Sequence, residues 1–476
     1  MNENLVILGD GPCFAGPLAV IRADETQQVP DALAAMAAAL AQGRHLAGYF
    51  AYELGYALEP RLAALMPSQR RIPLLWFGVF DRPAATPAPQ GRAYAGPLCP
   101  VWDESDYAVR FATIRNYIAA GDIYQANLSF PARFAFVGDA LALYRELEAR
   151  SGAAHCAFVD DGERQILSLS PELFFELSPD GGLTARPMKG TAARGQTPQA
   201  DAGARAALAA SEKDRAENLM IVDLLRNDLG RIAELGSVAV SDLFAVETYP
   251  TLHTMVSTVT AKLKHGTGIA GIVKALFPCG SITGAPKIRA MEIIRETESG
   301  PRGVYCGAIG HFSPDGAARF NVAIRTLTIQ GGQGELGVGG AVVQDSRAKE
   351  EYAECLLKAR FFTDAYRPLE LIETLKFDTA FVRCELHLAR LENSARVFAM
   401  PFDRMRAIAA LENAVAGKPA PLRVRLTLNA QGEFSCIAVP LPETKSPWRY
   451  AISPQRISST DELQHHKTSW REHYES

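Results

Sequence analysis

Lys189 stands between the apolar Pro187-Met188 and Gly190-Thr191, so an amine sits where glycine lets a backbone approach a bound anion closely. Most lysines are solvated surface charges, so its neighbourhood decides what this one does. Two carboxylate pairs share one spacing, Asp214 with Glu217 and Glu351 with Glu354. Residues three apart lie on one helix face, so each pair projects together. Carboxylates on an otherwise apolar face need a counter-charge, because an unpaired buried charge is costly. A divalent metal is one such partner; an acidic first turn favoured by the helix dipole is the other reading. Gln125 and Asn127 share one face of a strand, either a solvated face or the polar wall of a site. Arg325 lies inside the apolar run Phe320 to Ile329, where a side chain that keeps its charge needs an anion or an ion-pair partner.

The elements that must position these residues follow from periodicity and turn residues. An Ala-rich helix is expected from Pro30 to Leu40, and an exposed loop at Ala84 to Gly91. A helix opened by Ser105 places Tyr107, Phe111, Ile114 and Ile118 on one face and stops at Gly121. A strand over Ile123 to Ser129 carries Gln125. Strands at Gln165 to Leu169, Leu173 to Leu177 and Leu183 to Met188 bring in Glu172 and Lys189, and 196–211 reads as a mobile excursion. Ser211 with Asp214 has the form of a capping box for a helix ending near Leu229. Strands near 237–245 and 252–262 follow, the second carrying His253. A helix near 269–276 then leads into the small-residue loop Phe277 to Lys287, which points backbone N–H groups towards the next helix N-terminus, a geometry suited to anions. Strands at Val304 to Phe312, Ala318 to Ile329 and Glu335 to Val343 carry Tyr305, Arg325 and the Gly337–Gly340 segment. A helix at 348–363 holds Glu351, Glu354 and Lys358.

Composition sets the frame. The chain has 476 residues, 48% of them hydrophobic and 21% charged, so it can bury large cores. A net charge of −4 without long like-charge blocks gives no support to nucleic-acid binding. No apolar run reaches membrane-spanning length, and the N-terminus lacks the basic and apolar regions of a signal peptide. The eight cysteines form no C-x-x-C pair, against a zinc site or disulfide framework. The expectation is a cytoplasmic enzyme.

From about residue 45 to 364 the chain resembles the chorismate-utilising enzymes, most of all their aminodeoxychorismate-forming branch. The blocks that carry this are Gly121 to Ser129, Ser170-Pro171-Glu172, Arg186 to Thr191, Lys213 to Asn218 running on to Asp228, Gly280 to Lys287, Ala323 to Leu327, and Glu351 to Glu354 with Lys358. The resemblance implies a two-lobed α/β (α+β) fold with large antiparallel sheets packed face to face and helices outside. Residues 1–100 would be its N-terminal part and 101–364 its catalytic region. It further implies Mg²⁺ held by Glu217 and Glu354, with Asp214 and Glu351 supporting, and chorismate as substrate. Gly190 and Thr191 would face the ring carboxylate; Arg325, Tyr305, Lys358, Gly339 and Gly340 would hold the enolpyruvyl carboxylate. Lys189 would attack ring carbon 2 while Glu172 protonates the departing hydroxyl. His253 and Thr283 would lie near the ring. In water-using branches a lysine stands at the place of Gln125, and glutamine is no base at neutral pH. In the anthranilate branch the place of Lys189 is small. Ammonia is expected from a separate glutamine amidotransferase subunit. The alternatives are an anthranilate synthase component and a non-catalytic remnant that binds a glutaminase subunit.

Beyond Pro368 the texture changes. Leu369 to Leu375 and His387 to Ala395 resemble the start of the aminodeoxychorismate lyases, pyridoxal-phosphate enzymes of fold type IV. That resemblance implies Arg390 on the cofactor phosphate and Lys467 as the Schiff-base lysine. Residues 365–476 match only the first part of such a domain. Pyridoxal phosphate is expected only if the domain were complete, and no lyase activity is expected.

Overall fold

The computed structural model describes residues 4–249, 252–443, 447, 450–452 and 458–471. Two ten-stranded antiparallel sheets dominate it. The first runs in the order Gly284–Ala285, Gln125–Gly138, Gln333–Val342, Thr326–Gln330, Gln165–Ser170, His155–Asp160, Leu5–Ile7 and Cys13–Ala15; Ala93–Ala95 and Cys99–Pro100 also pair with the long second strand. The second runs Met188–Ala193, Leu252–Lys262, Gly182–Arg186, Leu173–Leu177, Ala318–Val322, Ala308–Phe312, His45–Phe50, Leu75–Phe80 and Ala19–Ala23, with Ala239–Thr248 beside Leu252–Lys262. The first hundred residues are thus woven into both sheets.

The sheets meet through Val6, Tyr49, Trp76, Val159, Ile166 and Ile309, all essentially inaccessible to solvent. Each outer face is covered by helices. Met36, Ile221, Leu225 and Ile272 pack onto the second sheet, and Tyr107, Leu147, Ile293 and Phe362 onto the first. This is the expected sandwich of antiparallel sheets with outer helices. Strand Leu75–Phe80 is buried along its whole length, which is why it reads as a continuous apolar run rather than an alternating one.

Four expectations are corrected. Residues 196–211 are no mobile excursion: Pro198–Ala210 is a helix, with Thr197 accepting the Ala200 N–H and Pro198 in the first turn. The stretch Leu183 to Met188 is two strands, Gly182–Arg186 and Met188–Ala193, divided at Pro187. The run Ala318 to Ile329 is also two strands, one in each sheet, and the chain crosses between sheets at Arg325, whose φ is +50°. The helix at 348–363 breaks at Ala359 into Ala348–Lys358 and Arg360–Thr363. Smaller differences concern caps and turns. Asp103, not Ser105, caps the helix Glu104–Ala119. Ser211 caps Glu212–Gly230 by accepting the Asp214 N–H at 3.3 Å, but its own N–H goes to Leu208 O, so the capping box is half formed. Tyr305 lies in the turn before Ala308–Phe312 rather than in the strand.

The C-terminal residues build a three-stranded antiparallel sheet, Leu371–Phe377, Leu422–Leu428 and Phe434–Pro440, backed by helices Cys384–Val397 and Arg404–Val415. Its core of Leu371, Leu391, Leu411 and Val424 extends onto Tyr94 and Val137 of the first sheet.

Candidate active site

Lys189 occupies the edge strand of the second sheet. Register against Leu252–Lys262 slips between Met188 and Thr191, a bulge in which Gly190 takes φ +78°. A Cβ on Gly190 would lie 2.7 Å from Asp214 Oδ1, so glycine is what lets the strand close onto the first turn of helix Glu212–Gly230. Thr254 Oγ1 fixes the bulge by donating to Gly190 O at 3.1 Å.

The Lys189 side chain makes no hydrogen bond or ion pair within 4 Å among the described residues. Burial drives its pKa below the usual lysine range; Lys358 adds to this, while Glu217, Glu172 and Glu354 pull the other way. Glu172 is 4% exposed, and burial lifts its carboxyl to about 7 against a hydrogen bond from Ser281 and the charge of Lys189. One of its oxygens, Oε1, has no partner. The half-buried Lys189, its amine held below the usual lysine range, thus lies beside a carboxyl poised to be protonated at neutral pH.

Around this pair stand the four carboxylates. Burial raises the Glu217 pKa, with Asp214 and Glu354 adding to the rise and Lys189 and Lys213 opposing it. Burial also raises Glu351, which accepts the Ser346 hydroxyl at 2.7 Å and feels Glu354. At Glu354 burial opposes the charge but is outweighed by Lys358, Lys189 and Lys213, leaving the carboxyl below its usual range. The two helices therefore present facing acid pairs balanced by three lysines. Among the described residues no three of His, Cys, Asp and Glu approach closely enough to hold a metal alone. Mg²⁺ usually takes only one or two carboxylates, with water and substrate oxygens completing its shell, and this all-oxygen donor set fits that demand.

The other expected residues divide. Gln125 is fully buried with Oε1 unpartnered; its amide is 3.5 Å from Asn127 Oδ1, too far to satisfy it. The solvated-face reading of this strand is thereby removed. Thr283 is buried, its hydroxyl turned to Cys279 O and Gly280 O at 3.2 Å each. Lys358 donates to Gly339 O at 3.0 Å and pairs with Glu354 at 2.9 Å, and a Cβ on Gly340 would lie 3.3 Å from its amine. Thr191 is exposed. His253 is 1% exposed and both ring nitrogens are taken, by Thr248 Oγ1 at 2.9 Å and Asp201 Oδ1 at 3.0 Å, so it clamps the helix Pro198–Ala210 to its strand. Arg325 has no carboxylate partner among the described residues, and burial lowers its pKa. The ion-pair reading falls away, and the structure does not draw Arg325 into the acid cluster around Lys189. Tyr305 lays its ring over Gly337 and lines a cavity of about 480 Å³ with Glu53, Arg70, Ser129, Arg302 and Thr328, apart from the Lys189 cluster.

Three residues escaped the sequence reading. Ser281 stands beside Glu172 and favours its ionised form, Lys213 lies 4.0 Å from Glu217, and Arg302 is buried against Glu298. Lys213 could have been found, since it stands four residues before Glu217; Ser281 and Arg302 depend on contacts distant in sequence.

In the C-terminal unit Arg390 and Lys467 come together around the buried Glu373. Arg390 gives Glu373 two hydrogen bonds of 2.7 and 2.6 Å, and His387 a third contact at 2.7 Å. Lys467 reaches Thr374 Oγ1 at 3.3 Å, with burial lowering its pKa. The guanidinium fork expected to face a cofactor phosphate is closed on a carboxylate, so these residues do not fit pyridoxal phosphate.

A family model for the chorismate binding enzymes matches residues 7–364. The chain belongs to that family. Within it, the chain is 48% identical over 264 residues to the aminodeoxychorismate synthase of Streptomyces griseus, covering 56% of this chain and 36% of that protein. It is 47% identical over 249 residues to aminodeoxychorismate synthase component 1 of Klebsiella aerogenes, covering 52% and 55%. The match therefore spans about half of the second relative's length and about a third of the first's. Among solved structures, anthranilate synthase component I from Streptococcus pneumoniae superposes with a TM-score of 0.62 at 25% identity, over 76% of this chain and 90% of that one. The menaquinone-specific isochorismate synthase of Escherichia coli shares the fold at 18% identity, TM-score 0.59, over 76% and 88%.

Proposed function

We propose that the chain aminates chorismate at ring carbon 4, forming 4-amino-4-deoxychorismate, the precursor of 4-aminobenzoate in folate biosynthesis, as an aminodeoxychorismate synthase component 1. The observation that carries this reading is Lys189, a desolvated amine beside a carboxyl held near neutrality. Its amine attacks carbon 2, the ring double bonds shift, and the bond from carbon 4 to its hydroxyl breaks. Glu172 gives its proton to that hydroxyl, which leaves as water. Ammonia then attacks carbon 4, the double bonds shift back, and the Lys189 amine is released. Burial of Glu172 keeps it protonated in the fraction of molecules that react. Gln125 offers no base to activate water, which favours amination over hydroxylation.

Glu217 and Glu354 would hold Mg²⁺, with Asp214 and Glu351 supporting; bound there, the ion would anchor the ring carboxylate and offset the charge of a dianionic substrate. Arg325, desolvated and without a counter-ion, is the group for the second carboxylate. The names of the relatives, component 1, support a second component, and a glutamine amidotransferase supplying ammonia is the partner of matching chemistry. Among the described residues no helix is long and apolar enough to cross a membrane; the reading places the enzyme in the cytoplasm.

Product identification tests this. Chorismate, Mg²⁺ and ammonium salt should yield a product that added aminodeoxychorismate lyase converts to 4-aminobenzoate. Fluorescent anthranilate without lyase would contradict it.

A further inference from the structure

Asn127 shares a strand face with Gln125 yet has no part in the steps above. It is 9% exposed, and its side-chain amide and its backbone N–H both turn to one short segment. Its N–H donates to Thr283 O at 2.8 Å and its Nδ2 to Ser281 O at 3.1 Å. The carbonyl between those two, Ile282 O, accepts from the Arg302 guanidinium at 2.9 Å, and the same guanidinium reaches Asn127 O, also at 2.9 Å. Three successive carbonyls of a buried loop are therefore each held by Asn127 or Arg302.

Arg302 is itself fixed. Its side chain is 3% exposed and makes two hydrogen bonds to Glu298, of 2.9 and 2.7 Å. It lies 4.5 Å over the Tyr52 ring, and its own N–H donates to Glu53 at 2.7 Å. Glu298 also accepts the Ser129 N–H at 2.8 Å, tying the assembly back to the strand of Asn127. The loop so held presents Ser281, 4% exposed, whose hydroxyl stands 3.2 Å from Cys279 Sγ and reaches Glu172.

We propose that Asn127 and Arg302 are positioning residues that set the Ser281–Thr283 segment against Glu172, and so aim the carboxyl that delivers the proton to the departing hydroxyl. Neither need touch substrate. The inference rests on the amination reading above, with Glu172 as acid. The groups facing Glu172 are Ser281, Lys189 and Cys279, and only the first is placed by the stitch. Loss of the Ser281 hydrogen bond removes an interaction that favours the ionised carboxyl, so the Glu172 pKa should rise.

The full chain and its Arg302→Lys and Asn127→Ala variants would be compared in ammonia-dependent amination across pH, with thermal unfolding recorded for each. Arg302→Lys keeps the charge but cannot span two carbonyls. Asn127→Ala keeps Arg302 and the backbone bond to Thr283. In folded variants kcat should fall roughly 10- to 100-fold, the cost of a small misplacement, with KM for chorismate within about twofold. The limb of the kcat profile near pH 7, set by Glu172, should move to higher pH. Folded variants with wild-type kcat and an unmoved limb near pH 7 would overturn the proposal. So would loss of folding by both, which would make these residues framework only. An inactive wild type would sink the amination reading itself.

Discussion

In the amination proposed above, Lys189 and Glu172 divide the chemistry by environment. Burial disfavours charge on both, which would suit the amine to attack and the carboxyl to give a proton. Glu172→Gln should lower kcat by on the order of 10²–10⁴, the usual worth of a positioned acid, with little change in chorismate affinity. A raised pKa of about 7 sets the direction of the pH dependence. The carboxyl is protonated below that value and loses its proton above it, and the reacting form also needs Lys189 neutral, so kcat should follow a bell in pH with one limb near 7; a rate flat from pH 6 to 9 would show that Glu172 is not the acid. These residues were legible as types and spacings: a lysine before Gly-Thr, a glutamine unable to act as base, and two acid pairs at i, i+3. What the sequence could not supply was Ser281 against Glu172 or Asp201 against His253, contacts between segments 109 and 52 residues apart.

Two backbone features decide where these side chains can be. Gly190 lies in a bulge at φ +78° against Asp214, so Gly190→Ala should cost about 1 kcal/mol or more of stability and push Lys189 away from Glu172, read as a lower urea midpoint together with lost turnover. Arg325 holds φ +50° where the chain passes from one sheet to the other, and its guanidinium is buried without a counter-ion. Arg325→Gly should therefore raise the melting temperature, by the equivalent of roughly 1 kcal/mol, while raising KM for chorismate. A variant both less stable and unchanged in KM would contradict that account. The sequence reads Phe320 to Ile329 as one strand because both halves are apolar; nothing local marks the change of sheet. Pro198–Ala210 was missed for a different reason. Its alanines and polar residues bury only Leu208, so no run of large apolar residues marks it, and the readable mark was the Thr197-Pro198 start.

Across the whole molecule, the C-terminal unit is not hung on a free linker. Tyr94 of the first sheet is 1% exposed and packs on Phe398 at 5.2 Å and Trp470 at 6.0 Å, while Arg92 pairs with Asp461 at 3.1 Å. Tyr94→Ala should cost about 3–5 kcal/mol, as large aromatic deletions in cores do, and expose the 364–370 connection to protease. Retained protease resistance would mean that the two units hold together without this ring. The family match, by contrast, ends at residue 364, so the sequence marked where the texture changes but not that the two cores are continuous.

The central claim is that Lys189 bonds covalently to the substrate ring, and intact-mass spectrometry of the protein mixed with chorismate and Mg²⁺ in the absence of ammonia tests it directly. A species heavier by chorismate less one water, mapped to the Lys189 peptide and absent in Lys189→Ala, is the predicted result. An adduct that persists in Lys189→Ala, or turnover of the wild type with no adduct at any time, would contradict it.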